Sequence, residues 1–245
     1  SVENESLLED STLEWHTRRL LGTDRAKTAM LGFFHQTIDL DQIESMDKNA
    51  ETYPMDSVSL RAAMVQELEQ LFLMAFENGD FRQLLYSEQA YVTPELAQLY
   101  QIDNVNETGW HPLPSTQKRG GLLGRAGFLA LNATAIRSSP THRGKFIRTR
   151  LLCQDIPPPP EGVETALDEI DTSLSLRDQL EQHMTDPTCS GCHMLMDPLG
   201  FPLEHFDALG AWRNEDNGHP IDATGSLGGT DIDGAAEMGQ TVANH

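Results

Sequence analysis

Cys189-Ser190-Gly191-Cys192-His193 is a C-x-x-C-H sequence, the spacing by which a chain attaches a c-type haem. Two intervening residues put the thiols about one helical turn apart, so both can bond vinyl groups of one macrocycle. The histidine follows at once, and its imidazole can turn beneath the ring and hold the iron from the proximal side. Cysteine and histidine at short spacing also serve structural zinc sites and redox dithiols. Zinc needs four protein ligands, and no second C-x-x-C or H-x-x-x-H pair is present. A thioredoxin-like dithiol sits in a βαβ context, which is not visible here. The motif therefore predicts one covalent haem c, attached through Cys189 and Cys192 and ligated by His193.

The residues that follow carry a resemblance. From Asp197 to Arg213 the chain reads Asp-Pro-Leu-Gly-Phe-Pro-Leu-Glu-His-Phe-Asp-Ala-Leu-Gly-Ala-Trp-Arg. Every fixed letter of D-P-L-G-F-x-L-E-x-F-D-x-x-G-x-W-R is matched. This resembles the planctomycete-type cytochrome c-like multidomain family, which is built from domains of unknown function. Phe81 to Tyr100, Arg119-Gly120-Gly121-Leu122-Leu123 and Ser139-Pro140-Thr141-His142-Arg143-Gly144-Lys145 are similar to three weaker patterns of that family. The resemblance spans roughly residues 80–235, and the N-terminal helices more loosely. It implies a cofactor and an architecture more than a reaction. It also implies further sequence upstream and a final helical region after Met238, so the chain is expected to be part of a larger polypeptide or complex.

Formal net charge is −21, from 17 basic and 38 acidic residues. A phosphate backbone would be repelled, so nucleic acid is not an expected partner. Such acidity serves solubility first; it would also steer the chain toward a basic redox partner. No run of about eighteen apolar residues could span a membrane. The start, Ser1-Val2-Glu3-Asn4-Glu5, is acidic and unlike a signal peptide. Haem c is attached outside the cytoplasm in bacteria, so a periplasmic or otherwise extracytoplasmic location is expected, with any leader removed or outside this numbering. The motif uses two of three cysteines; the third, Cys153, reads as a small buried hydrophobe.

Hydrophobic periodicity and breakers predict a mostly α fold: a helical scaffold domain followed by a small cytochrome c-like haem domain. Residues 1–105 form the scaffold, with helices over Leu7–Leu21, Asp24 to about Leu40 and Asp56–Asn78, followed by short helices at Asp80–Tyr86 and Pro94–Tyr100. Asp41–Lys48 reads as a further short helix, and Phe33, Phe34 and Ile38 as the apolar face of the second helix. Met64 and Met74 fall on the apolar stripe of Asp56–Asn78 and read as core. Residues 106–155 connect, with a loop to about 121, a helix over Gly120–Asn132, and a basic helix from Pro140 to about Leu152. Residues 156–172 are a stiff linker opened by Ile156-Pro157-Pro158-Pro159-Pro160. Residues 173–245 form the haem domain, with Ser173 capping a helix to Met184, the motif helix starting near Pro187, and a glycine-rich loop or hairpin over Gly218–Asp233.

A porphyrin needs a dry wall, and the segment after the motif is rich in apolar and aromatic residues. Pro198, Phe201, Phe206 and Trp212 are expected against the ring. Arg143 or Arg119 would suit a propionate, since a guanidinium binds a carboxylate through two parallel hydrogen bonds. For the sixth iron ligand the nearby candidates are His183, Met184, Met194, Met196, His205, His219 and Met238. His183 is favoured, because Thr185-Asp186-Pro187 can fold it back toward the motif, and the resembled family carries a histidine there. Three functions stay open: an electron carrier between redox partner proteins, an oxidoreductase subunit with an open iron site, and a structural module stapled by haem. No phosphate loop, H-E-x-x-H or Ser/His/Asp set points to another enzyme class.

Overall fold

The computed structural model describes residues 9–158 and 171–245. The fold is mostly α and divides into two compact units, residues 1–40 and 41–245. In the first unit, helix α1 (Asp10–Leu21) is followed by α2 (Asp24–Ile38). Thr23 caps α2, its hydroxyl accepting from Ala26 N–H. Phe34 and Ile38 are buried, whereas Phe33 is 61% exposed. The apolar face is thus narrower than the residue types suggested, because consecutive residues on a helix point about 100° apart.

The second unit is built around α3 (Val58–Asn78). Ser57 caps its start by accepting from Leu60 N–H, and Gly79, at φ +69°, ends it in the left-handed conformation. Leu60, Ala63, Met64, Leu68, Leu71, Phe72 and Ala75 are buried along it. Met64 is therefore core, as its place on the stripe suggested. The short helix α4 (Gln83–Tyr86) leads into β1 (Gln89–Val92), and α5 (Pro94–Leu99) follows with Pro94 in its first turn. Residues Asp41–Lys48 do not form the expected helix: only a 3₁₀ turn, Leu40–Ile43, is present.

Residues 101–121 are more ordered than a loop. Gly109–Pro112 forms β2, antiparallel to β1 in the register Gln89↔Pro112 and Val92↔Gly109. Two four-residue strands separated by a helix leave little alternation to read. A 3₁₀ turn, Leu122–Gly124, and α6 (Ala126–Leu131) replace the single expected helix. Gly121, at φ +50°, explains the break: a Cβ there would overlap the Leu85 carbonyl.

Helix α7 (Pro140–Phe146) is capped by Ser139 and runs on as a π-helical turn over Ile147–Leu151. Cys153 lies just beyond, at φ +53° and exposed. The left-handed residue turns the side chain outward, so the expectation of a buried thiol is corrected. Of the linker, Ile156, Pro157 and Pro158 are described; Pro159, Pro160 and the acidic stretch after them lie outside the described residues.

Helix α8 (Leu176–His183) is capped by Ser175 rather than Ser173. After a short turn, α9 (Pro187–Gly200) begins with Asp186 as its cap and carries the C-x-x-C-H motif. Helices α7 and α9 pack with their backbones in contact. A Cβ on Gly144 would overlap the Met196 carbonyl, and one on Gly200 the Pro140 carbonyl. Two hairpins follow. β3 (Glu215–Asp216) and β4 (His219–Pro220) are joined by Asn217-Gly218, and β5 (Thr224–Leu227) and β6 (Thr230–Asp233) by Gly228-Gly229. All four turn residues have positive φ, the requirement of a tight type I′ turn. The chain closes with α10 (Ala235–Ala243), whose Gly239 sits against the Leu85 carbonyl.

Candidate functional site

Helix α9 starts where the sequence can start a helix. Pro187 has no N–H to leave unpaired, and the Asp186 carboxylate accepts from Thr188 N–H at 2.8 Å. These bonds hold the Asp186 carboxyl below its ordinary pKa. From this fixed start, Cys189, Cys192 and His193 fall at i, i+3 and i+4 on adjoining turns. Both thiols are free and half-buried. The Cys192 thiol donates weakly to the Pro157 carbonyl at 3.8 Å, so the beginning of the proline-rich segment lies over the motif.

His193 is oriented from below. Its Nδ1 lies 2.8 Å from Oδ2 of Asp197, one turn further along α9, and its side chain is 15% exposed. Asp197 is fully buried, and its other oxygen accepts from Thr141 Oγ1 of α7 at 2.8 Å. With Nδ1 engaged, Nε2 is the nitrogen left for a ligand. His183, the last residue of α8, is brought beside it, ring centroids 5.0 Å apart and planes at 74°. The turn that does this is closed by Met184 N–H to Leu180 O, Thr185 N–H to Gln182 O and Asp186 N–H to His183 O.

The other candidates for a second iron ligand are placed differently. Met194 is 65% exposed, and Met196 and Met238 are buried. Met184 and His219 are half-buried. His205 stacks on Trp212 at 4.3 Å, with Nδ1 2.9 Å from the Arg213 carbonyl. Among the described residues no three His, Cys, Asp or Glu side chains converge as for a metal ion.

Pro198 lies in the last turn of α9, half-buried. Phe201 is buried with Leu176 and Leu180, and the Arg177 guanidinium lies 4.0 Å over its ring. Phe206 is 1% exposed, with Trp212 edge-on at 5.4 Å and Arg119 4.4 Å over its face. Phe201 and Phe206 are thus covered by protein neighbours and leave almost no surface for a ring, contrary to expectation; Trp212 and Pro198 are only half-buried.

Arg119 and Arg143 are not arranged as propionate clamps. Arg143 is fully buried and donates to the carbonyls of Leu203, Phe206 and Asp207 and to Glu204. Arg119 is 3% exposed, lies between the rings of Tyr100 and Phe206, and donates to Gln117, Gly124 and Gly210. Burial lowers both guanidiniums to about 10, still charged at neutral pH. They tie residues 203–210 to the connecting segment that carries the two arginines. In a sequence, a buried strut and a surface clamp carry the same residue letter.

Asp197 and Thr141 were visible only as letters of the resemblance. The spacing of Asp197, four after His193, could have pointed to a pair on one helix face. Nothing in sequence brings Thr141 there; the α7–α9 crossing does. A separate cleft of about 360 Å³ is lined by Ser175, Arg177, Asp178, Glu181, Asp216 and Asp222 among others, and by none of the three motif residues.

Two family models match the chain, one over its first part and one over a later part. Residues 1–102 match the model PSD4, protein of unknown function (DUF1592). Residues 119–216 match PSCyt3, protein of unknown function (DUF1588). No curated protein and no solved structure gives a match. The chain is therefore similar to a DUF1592 domain and then to a DUF1588 domain, two families associated with planctomycete-type cytochromes.

Proposed function

We propose that this chain is a monohaem c-type cytochrome unit that carries single electrons between extracytoplasmic redox proteins. One observation carries the reading: Cys189, Cys192 and His193 stand on adjoining turns of α9, with the imidazole held through Nδ1 so that Nε2 is available. When bound, the haem supplies an iron that changes by one electron between its ferric and ferrous states. The chain's own residues do the rest. The two thiols would hold the ring on α9, and His193, kept in place by Asp197, would ligate the iron. His183, whose ring lies beside that of His193, would be the residue on hand as a second iron ligand. The Pro157 carbonyl lies 3.8 Å from the Cys192 thiol. A net charge of −21 favours encounter with basic partners.

The test is covalent haem in protein expressed with an extracytoplasmic haem-attachment system. The mass of the denatured chain should exceed the polypeptide by one haem, and the colour should survive acid–acetone extraction. Cys189→Ala with Cys192→Ala should abolish both. A wild-type mass equal to the bare chain rejects the reading.

A further inference from the structure

The buried carboxylate of Asp197 has no part in attaching a haem, yet both its oxygens are committed. Oδ2 meets His193 Nδ1 and Oδ1 meets Thr141 Oγ1, each at 2.8 Å. The two partners come from different helices, α9 and α7. Their backbones touch at Gly144 and Gly200, so the carboxylate is held at a close crossing and has little room to rotate. A carboxylate is acceptor-only when ionised, and a neutral imidazole has one donor and one acceptor nitrogen. The contact therefore selects the tautomer with the proton on Nδ1 and the bare pair on Nε2.

We propose that Asp197, braced by Thr141, is a positioning residue that fixes the tautomer of His193 and makes its imidazole a more basic iron ligand. This rests on the proposed haem. A charged acceptor behind a ligating histidine raises the electron density on the ligating nitrogen. That favours the ferric over the ferrous state, so the pair holds the reduction potential low. Thr141 contributes by occupying Oδ1, which keeps Oδ2 aimed at the ring.

The experiment compares haem-loaded wild type, Asp197→Asn, Thr141→Val and Thr141→Ser. The midpoint potential is read by redox titration, and exchange of the His193 Nδ1 proton by proton NMR of the ferrous protein. Asp197→Asn should shift the potential positive and speed exchange. Thr141→Val should do the same to a smaller extent, and Thr141→Ser should stay at wild-type values. If haem-loaded Asp197→Asn and Thr141→Val keep the wild-type potential and exchange rate, Asp197 only packs the crossing and the proposal is overturned. Should Asp197→Asn not fold, Thr141→Val against Thr141→Ser decides. Haem failing to attach to the wild type is a separate result, read from the mass, and rejects the parent reading along with this one.

Discussion

Gly144 of α7 lies so close to the carbonyl of Met196 on α9 that a Cβ would overlap the oxygen. Gly200 stands in the same relation to the Pro140 carbonyl. The backbones of the two helices touch, and neither can give way without moving a whole helix. Overpacking a well-filled site typically costs about 1–3 kcal/mol, and backbone-on-backbone overlap belongs at the upper end. Gly144→Ala and Gly200→Ala should each lower the denaturation midpoint and weaken the α7–α9 crossing that aligns Thr141 with Asp197. Gly32→Ala, in α2 with nothing within 4 Å of its Cβ, should be neutral or stabilising by up to about 1 kcal/mol. Chemical denaturation of the three variants checks this contrast.

His183 should control access to the iron. A short turn brings its ring beside that of His193. In the haem-loaded protein it should make the iron low-spin in both oxidation states. His183→Ala should give a high-spin spectrum and new binding of carbon monoxide. A wild type that is already high-spin and binds carbon monoxide would remove His183 as a ligand and favour an open iron site. A methionine–iron charge-transfer band would instead turn attention to Met184 or Met238.

The fold class was legible because α3 and the caps of α5, α7 and α9 follow local rules: Ser57, Thr93, Ser139 and Asp186 each accept from a first-turn N–H. The strand pair β1–β2 was not, since its register joins residues 89 and 112 and nothing local announces it. The C-x-x-C-H motif was legible because its chemistry is contiguous. The Asp197–Thr141 brace and the roles of Arg119 and Arg143 were not. A buried arginine in so acidic a chain looks like a ligand clamp until the backbone carbonyls it satisfies are seen.

A buried ionic cluster ties α3 to the rest of the second unit. Glu67 and Arg125 are both fully buried; Glu67 accepts from Tyr100 Oη at 2.6 Å and from Arg125 Nη1 at 3.3 Å. Burial pushes the Glu67 carboxyl up, while Arg125 and Tyr100 pull it back down. Arg125 also donates to the carbonyls of Ser87 and Gln89, holding β1. Removing one partner leaves an uncompensated buried charge, which costs about 3–5 kcal/mol. Glu67→Leu and Arg125→Met should each destabilise by that order. The double variant should lose less than the sum, and additivity in the double-mutant cycle would show the two are not coupled.

Lys48 gives the protein a pH dependence with a definite sign. It is 7% exposed, and its ammonium donates to the carbonyls of Ala130 and Thr134, each at 2.9 Å. These bonds favour the charged form, but burial first, and then the nearby Arg143 charge, lower the pKa from 10.5 to about 8. Between those two values the unfolded chain keeps a proton on Lys48 that the folded chain has released. Stability rises with pH wherever the unfolded state binds more protons. Below pH about 8 both states are protonated, and the cost of burying the charge is constant. From about 8 to 10.5 that cost is progressively relieved, so the contribution of Lys48 to stability increases with pH. Lys48→Met removes the titration while keeping an apolar stem in place. The difference in unfolding free energy, wild type minus variant, should be flat below pH 8 and climb from there toward 10.5. A difference that stays flat or falls across that window would mean the ammonium remains charged in the folded protein, held by its two carbonyls against burial.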